Sequence, residues 1–150
     1  MALIVSLATL QARLGRELAV TAWTTVSQAA IDRFAEATGD DQWIHTDPAR
    51  AASSPWGSTI AHGFYTLSQL AEWLAEAVEI EPAAAAINYG LNRVRFVTPV
   101  PAGGRIRARF SPAAVDEVRD GLQVVWAVTI DLEGAAKPAC VAEWIVRYLR

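Results

Sequence analysis

The stretch HGFYTLSQLAEWLAEAV, residues 62–78, decides how this chain folds. Its apolar side chains recur at helical spacing, and in the first half they lie nearly all round the predicted helix. These side chains are Phe64, Tyr65, Leu67, Leu70, Ala71, Trp73 and Leu74. A helix with this pattern is buried on most sides, so the rest of the chain has to enclose it.

The sequence after residue 85 changes to the period-two alternation that is typical of β-strands. Four strands are predicted, over residues 85–96, 104–115, 121–132 and 138–149. Gly103-Gly104 and Asp120-Gly121 are predicted to supply the hairpin turns of an antiparallel meander. The last strand carries apolar side chains on both faces, as a central strand does.

The sequence before the central helix predicts one strand and one further helix. Residues 16–25 have the composition of a strand, and residues 28–38 place apolar side chains on one helical face. Ser27 is the predicted N-cap of that helix, and Gly39 ends it. We therefore predict an α+β fold, with one domain over residues 1–150 in which an antiparallel sheet wraps around a long central helix.

Composition excludes several classes of protein. An apolar fraction of 53% with six Trp suits a compact globule that also has interface surface, while a net charge of −3 gives no footprint for nucleic acid. The single Cys140 rules out an internal disulfide and is expected to be a buried strand residue. The apolar residues 1–10 are too short to span a bilayer and lack the basic start of a signal peptide. We expect a cytoplasmic protein with no membrane segment.

The two histidines of the chain, His45 and His62, fall within one stretch that also contains Asp40. Imidazole is the side chain best suited to proton transfer near neutral pH. Asp40 precedes His45 at a distance that suits a loop folding an acid and a base toward each other. On this evidence alone two other interpretations stay open: Asp40 as a turn residue after Gly39, and His45 as a hydrogen-bonded loop histidine.

Two separated segments carry a specific resemblance. FAEATGDDQWIHTDP (34–48), followed by IAHGF (60–64), resembles the hydratase motif of MaoC-like enzymes, the R-specific enoyl-CoA hydratases with a hot-dog fold. AINYGLNRVRF (86–96), with Pro-Val-Pro at 99–101, resembles the subgroup around nodulation protein N and the mycobacterial 3-hydroxyacyl-thioester dehydratases. The resemblance implies a hot-dog domain and a homodimer whose sheets join edge to edge.

The resemblance also implies catalytic roles for three residues. Asp40 and His45 match the family's catalytic pair, which holds one water between a carboxylate and an imidazole. Hydration of an α,β-unsaturated thioester needs a proton removed from water and a proton delivered to the α-carbon, and such a pair does both. Gly63 matches the glycine whose backbone N–H points at the thioester carbonyl, where charge builds up in the transition state.

The polar neighbours of this motif are assigned to supporting roles. Asp41 is expected to face solvent. Asp47, followed by Pro48, is expected to cap a short turn of helix over Ala49–Ala52. His62 is a candidate substrate-binding residue, although support of the loop or of the helix start is the stronger expectation.

Later polar residues are weaker candidates for substrate contacts. Asn88 and Asn92, expected on one face of their strand, are candidates for polar contacts with the substrate. Arg105, Arg107 and Arg109 point the same way from one strand. They form either a solvated outer face or a site for the phosphates of coenzyme A, since arginine binds phosphate in a bidentate manner.

The chain departs from the family pattern at two places. Gln42-Trp43 stands where many relatives carry Asn-Pro, and Ala71 stands where some carry a helical serine that helps to position the carbonyl. Ser68 lies one turn before Ala71. The identity of a second hydrogen-bond donor to the carbonyl therefore stays open.

The predicted function is the hydration of trans-2-enoyl thioesters to (R)-3-hydroxyacyl thioesters, or the reverse dehydration, on an acyl-CoA or acyl-carrier-protein substrate. The sequence has neither a metal-ligand spacing nor a Gly-rich dinucleotide motif, so no metal or cofactor is predicted. One alternative is thioester hydrolysis, because hot-dog folds host both chemistries. Another is a non-catalytic acyl-binding subunit of a heteromeric dehydratase, which would require a broken Asp/His pair.

Overall fold

The computed structural model describes residues 2–150, so that Met1 lies outside the described residues. The helices are α1 (Leu7–Ala12), α2 (Gln28–Thr38), α3 (Trp43–Thr46), α4 (Pro48–Ala51), α5 (Gly63–Ser68) and α6 (Leu70–Ala77). The strands are β1 (Leu3–Val5), β2 (Ala19–Val20), β3 (Thr24–Thr25), β4 (Val78–Ile80), β5 (Ala85–Phe96), β6 (Arg105–Val118), β7 (Gly121–Leu132) and β8 (Cys140–Leu149).

The main sheet is antiparallel and has the order β2-β6-β7-β8-β5, with β3 also paired to β6. The predicted bounds of β5 and β7 are confirmed, and those of β6 and β8 differ by at most three residues. Gly121 begins β7 at φ 155°, and a Cβ there would lie 1.9 Å from the Tyr148 carbonyl oxygen. The hairpin at Asp120-Gly121 therefore needs a glycine.

The prediction of a hairpin at Gly103-Gly104 is wrong. β5 pairs with β8, so the segment 97–104 crosses from one side of the sheet to the other instead of joining neighbouring strands. Pro99 and Pro101 lack the N–H groups that a continued ladder needs. The crossing segment bonds instead to residues 59–61, through Ala61 N to the Val100 carbonyl and Ala102 N to the Thr59 carbonyl.

The predicted central helix is present as α5 and α6, with Gln69 between them still in the right-handed helical region. The Ser68 hydroxyl and the Gln69 side-chain amide both donate to the Tyr65 carbonyl, which would otherwise accept the Gln69 backbone N–H. Leu70, Trp73 and Leu74 are buried, as predicted. The prediction that this helix is buried on most sides is wrong for one face, however, because Phe64, Ala71 and Ala75 are exposed beside β5.

The predicted strand over 16–25 is divided into β2 and β3. Ala19 pairs with Phe110 and Thr24 with Ile106, so one extra residue lies between the two pairs. This irregularity lets the Thr21 hydroxyl accept the Ala108 N–H at 2.9 Å, in place of a backbone carbonyl. The elements before residue 16 and the short strand β4, which pairs with β1, were not predicted.

The core lies between the inner face of the sheet and the helices. Phe110 and Trp126 are its largest fully buried side chains, and their rings meet edge to face at 6.2 Å between centroids. Cys140 is buried on β8 as predicted, and burial raises the pKa of its thiol to about 11. Within residues 2–150, no helix combines the length and the apolar character needed to cross a membrane.

The outer face of β6 carries the three arginines, and their partners are carboxylates. Arg105 contacts Glu133 at 2.9 Å, while Arg107 and Arg109 contact Asp131 at 3.0 and 2.8 Å. Arg109 also bonds to Glu17. These pairs favour the interpretation as a solvated outer face over a phosphate site, because the positive charges already have partners.

We expect Asp131→Asn to lower the free energy of unfolding at pH 7 by about 1 kcal/mol, the range of partly exposed ion pairs. Burial alone would raise the pKa of Asp131, but hydrogen bonds and charge attraction from Arg109 and Arg107 together outweigh it and hold that pKa below its ordinary value. The stabilisation is therefore complete above the ordinary pKa and is lost as pH falls through the lowered one. Urea unfolding should show the difference from wild type shrinking below about pH 4. A difference that is unchanged at low pH would contradict this.

Candidate active site

The candidate site begins where α2 ends. Gly39 adopts the left-handed conformation at φ 77° and turns the chain, as predicted. Asp40 follows half-buried, whereas Asp41 is exposed, as predicted. The chain then enters α3, which carries His45, and Asp47 caps α4 by accepting the Arg50 N–H at 3.0 Å. Asp40 thus lies in the loop between α2 and α3, and His45 lies in α3.

His45 is buried, with 6% of its surface exposed, and its orientation is set by the backbone. Its Nδ1 lies 2.7 Å from the Ile60 carbonyl oxygen. A carbonyl can only accept, so Nδ1 carries the proton, and in the neutral ring Nε2 is left as a proton acceptor. The Ile60 N–H in turn donates to the Ile44 carbonyl at 2.9 Å, which ties the two segments together.

His62 contacts both Asp40 and His45. Its Nε2 lies 2.8 Å from the Asp40 carbonyl oxygen and therefore donates to it. Its ring stacks on His45 with centroids 3.8 Å apart and contacts the Phe34 ring at 5.0 Å. This geometry favours the supporting role over direct contact with substrate.

The side chains of Asp40 and His45 approach each other without touching. A carboxylate oxygen and an imidazole nitrogen lie within 4.8 Å, and His62 contributes a nitrogen within the same limit. Two hydrogen bonds of about 2.8 Å meeting at a tetrahedral angle span roughly 4.6 Å, so a separation near the upper limit of 4.8 Å leaves room for one bridging water. Gln42, one of the two departures from the family pattern, donates to the Asp40 carboxylate at 3.3 Å.

The same three residues satisfy the distances of a metal site, a grouping that the linear spacing did not indicate. Their orientation does not suit one. The two imidazole planes are stacked at an angle of 25°, so the in-plane lone pairs run nearly parallel instead of converging on one point. We therefore treat the cluster as an acid/base site.

A cavity of about 170 Å³ opens beside His45. Much of the rest of its wall is formed by Gly63, Thr66, Phe96 and the segment 98–100. A Cβ on Gly63 would lie 2.6 Å from the Phe96 ring, so the space at this glycine is filled by the protein's own aromatic ring. The absence of a side chain at Gly63 therefore lets the Phe96 ring approach the backbone, as well as any substrate.

Three residues of the site were missed from the sequence: Gln28, Thr59 and Thr66. The Gln28 amide donates to the His45 carbonyl at 2.7 Å, and the buried Thr59 hydroxyl donates to the Gln28 side-chain oxygen. These two hydrogen bonds, which we call the Gln28 clamp, hold the backbone of His45. No local sequence pattern predicts them, because the residues that they join are distant in the chain. Thr66 gave a signal, since it is a hydroxyl on an otherwise apolar stretch one turn after Gly63.

Asn88 and Asn92 do not line this cavity, and their side chains do not share a face. The Asn88 side-chain oxygen accepts from the indole of Trp144 on the inner face, whereas Asn92 donates to Glu143, which alternates with buried neighbours on the outer face. Bulges between Asn88 and Gly90 and between Leu91 and Arg93 break the alternation.

Comparison with known proteins agrees with this architecture. Residues 9–133 match the family model described as "MaoC like domain". The chain is 48% identical to 3-hydroxyacyl-thioester dehydratase Z of Mycobacterium tuberculosis over 96% of both chains. It is 44% identical to nodulation protein N of Rhizobium leguminosarum, over 93% of this chain and 89% of that one.

A solved structure supports the fold independently of close sequence identity. The (R)-hydratase of A. caviae involved in PHA biosynthesis superimposes with a TM-score of 0.74 at 23% identity, covering 90% of this chain and 96% of that one. The chain belongs to the MaoC-like dehydratase family, and its fold is the hot-dog fold.

Proposed function

We propose that this enzyme catalyses the reversible hydration of trans-2-enoyl thioesters, carried on coenzyme A or an acyl-carrier protein, to (R)-3-hydroxyacyl thioesters. The observation that carries the proposal is the approach of the Asp40 carboxylate to the His45 imidazole within 4.8 Å, with His45 lining a cavity that Gly63 also lines. The intact pair argues against a non-catalytic subunit. The named activities of the relatives support the substrate class.

The proposed reaction uses the pair on one water. Asp40 accepts a hydrogen bond from the water and orients it, while His45 Nε2 takes its other proton as the oxygen bonds to the β-carbon. The π electrons move toward the thioester carbonyl, and the imidazolium returns a proton to the α-carbon. Dehydration follows the same path backward, with water as the leaving group.

The backbone N–H of Gly63 is the proposed donor to the thioester carbonyl oxygen. Gly63 is the first residue of α5, where N–H groups have no partner within the helix. Negative charge grows on the carbonyl oxygen as water adds, so a donor fixed in advance stabilises the transition state more than the ground state.

A groove of about 540 Å³ between α6 and β5 is the proposed site of the acyl tail. Alanines at 71, 75 and 83–86 line it, and their small side chains leave it open. Ala71 lies roughly 12 Å beyond Gly63 at 1.5 Å per residue along the helix. We therefore expect acyl chains longer than crotonyl to be accepted.

The test is to mix the purified protein with crotonyl-CoA and with medium-chain enoyl-CoA substrates. We expect loss of the absorbance of the conjugated double bond, an R product, and a kcat/KM at least as high for the longer chain. Release of free thiol without loss of the enoyl absorbance would instead identify a thioesterase and overturn the proposal.

We also propose that a second copy of the chain covers β5 and that the two sheets join edge to edge. β5 ends the strand order of the sheet, and ten of its twelve residues are exposed. Its exposed apolar side chains include Ile87, Leu91 and Phe96, and the exposed Phe64 of α5 continues the same surface. An open apolar edge of this kind needs a cover.

Leu91→Asp should convert a dimeric wild type into a monomer, because it buries a charge in the proposed interface. Light scattering coupled to size-exclusion chromatography measures the mass directly. Val20→Asp is the matched control, since Val20 is an exposed residue of β2 at the opposite edge of the sheet. A wild-type protein that elutes as a monomer at micromolar concentration would contradict the proposal.

A further inference from the structure

Two buried side-chain atoms among residues 2–150 have no hydrogen-bond partner, and both belong to the candidate site: Thr66 Oγ1 and His62 Nδ1. Thr66 is only 2% exposed. A buried hydroxyl without a partner costs free energy, because it has given up its hydrogen bonds to water. An unpaired buried group of this kind calls for an explanation, and a catalytic role in which the ligand supplies the partner is one.

Other helical hydroxyls in this protein donate to a backbone carbonyl of their own helix, whereas the Thr66 hydroxyl does not. Within helices, Ser and Thr commonly bond back to a carbonyl one turn earlier. Thr38 donates to the Phe34 carbonyl at 2.7 Å, and Ser68 donates to the Tyr65 carbonyl at 2.7 Å. The corresponding carbonyl for Thr66, that of His62, accepts the Thr66 backbone N–H at 3.2 Å and not the hydroxyl.

Thr66 lines the same cavity as His45 and Gly63. It lies three residues after Gly63, so the two positions are neighbours on one side of the helix. The cavity therefore brings together His45, Gly63 and Thr66, whose buried hydroxyl has no partner. Ala71, further along the helix, has no hydroxyl to contribute.

We propose that Thr66 is a catalytic residue whose hydroxyl donates a hydrogen bond to the thioester carbonyl oxygen, as a second donor beside the Gly63 N–H. This inference rests on the proposed hydration activity and names the group that completes the carbonyl site. The hydroxyl keeps its proton throughout, and its contribution is to stabilise the charge that develops on the carbonyl oxygen.

Thr66→Val tests the proposal, because valine has nearly the same shape and lacks the hydroxyl. We expect kcat/KM for an enoyl-CoA substrate to fall by about 100-fold, mostly in kcat, as for other lost carbonyl donors. The melting temperature should be unchanged or higher, because the variant no longer buries an unpaired hydroxyl.

Thr66→Ser restores the donor and should recover activity to within about tenfold of wild type, although it loses a buried methyl group. Thr129→Val, on the outer face of β7, is the matched control.

A binding measurement separates a carbonyl donor from a merely structural threonine. A dienoyl-CoA ligand absorbs at longer wavelength when its carbonyl oxygen accepts hydrogen bonds, since they draw electrons along the conjugated system. The ligand is bound to His45→Gln, which does not turn it over, and to His45→Gln/Thr66→Val. We expect the shift to be smaller in the double variant.

Different failures overturn different statements. A wild type that hydrates no enoyl thioester overturns the proposed function and this inference with it. A wild type that is active, with Thr66→Val equally active or with equal wavelength shifts in the two variants, overturns the role of Thr66 alone. A Thr66→Val protein with a clearly lower melting temperature would also overturn it, because the hydroxyl would then have a partner within the protein.

Discussion

Asp40→Asn and His45→Gln should each lower kcat by several orders of magnitude, and the double variant should be little worse than either single one. The two groups act on one water, so removal of either leaves that water without its base or without its orientation. Effects of residues that act as a unit are strongly non-additive. Stopped-flow and steady-state rates of loss of enoyl absorbance measure this over the required range.

Asp41→Asn is the control, because Asp41 adjoins Asp40 and is exposed. Its rate should stay within about tenfold of wild type, a change in activation free energy below roughly 1.4 kcal/mol. Melting temperatures of Asp40→Asn and Asp41→Asn should change little, since each exchanges a carboxylate for an amide of similar volume. An inactive Asp41→Asn variant together with an active Asp40→Asn variant would show that Asp41, and not Asp40, is the catalytic carboxylate.

Gln28→Leu should lower both stability and activity, because it removes the clamp behind His45. The His45 carbonyl would lose the bond that it accepts at 2.7 Å, and the Thr59 hydroxyl, 2% exposed, would lose its acceptor. Each buried group left without a partner costs about 1–3 kcal/mol, so we expect the free energy of unfolding to fall by about 2 kcal/mol or more. A drop in kcat of roughly tenfold to hundredfold should follow from misplacement of the imidazole.

Asp32→Ala is the matched control for Gln28. Its carboxylate accepts from the same Gln28 amide at 2.8 Å, but on the exposed side. Its loss should change the free energy of unfolding by no more than about 0.5 kcal/mol. Chemical unfolding and kcat measured on both variants decide the matter. Equal effects of the two substitutions would show that the clamp does not position His45.

The elements that the sequence predicted correctly are those specified by local pattern. The alternation of β7 and the caps of α2, Ser27 and Gly39, are properties of a few consecutive residues. The connection between β5 and β6 is a property of the whole sheet, and a Gly-Gly pair after a strand suggests a hairpin by default. β5 instead pairs with β8, and that choice depends on contacts between residues about fifty positions apart.

The candidate site shows the same division. Asp40, His45 and Gly63 were found because the motif records their types and spacing, and their proposed roles stay predictions. In the Gln28 clamp, the Gln28 amide donates to the backbone carbonyl of His45. Every residue type has such a carbonyl, so the sequence can indicate the donor but not the acceptor. The separation of Asn88 from Asn92 results from two bulges that alternation alone does not reveal. That residues 1–150 form one domain also stays a prediction.

Both imidazoles of the site are oriented by main-chain atoms, His45 by the Ile60 carbonyl and His62 by the Asp40 carbonyl. A carbonyl oxygen survives almost any substitution of its own residue. Side chains around the cavity and along the groove can therefore be exchanged during evolution without removing the bonds that aim the rings. Descendants of this chain can diverge in the acyl groups that they select and still inherit one proton-transfer geometry.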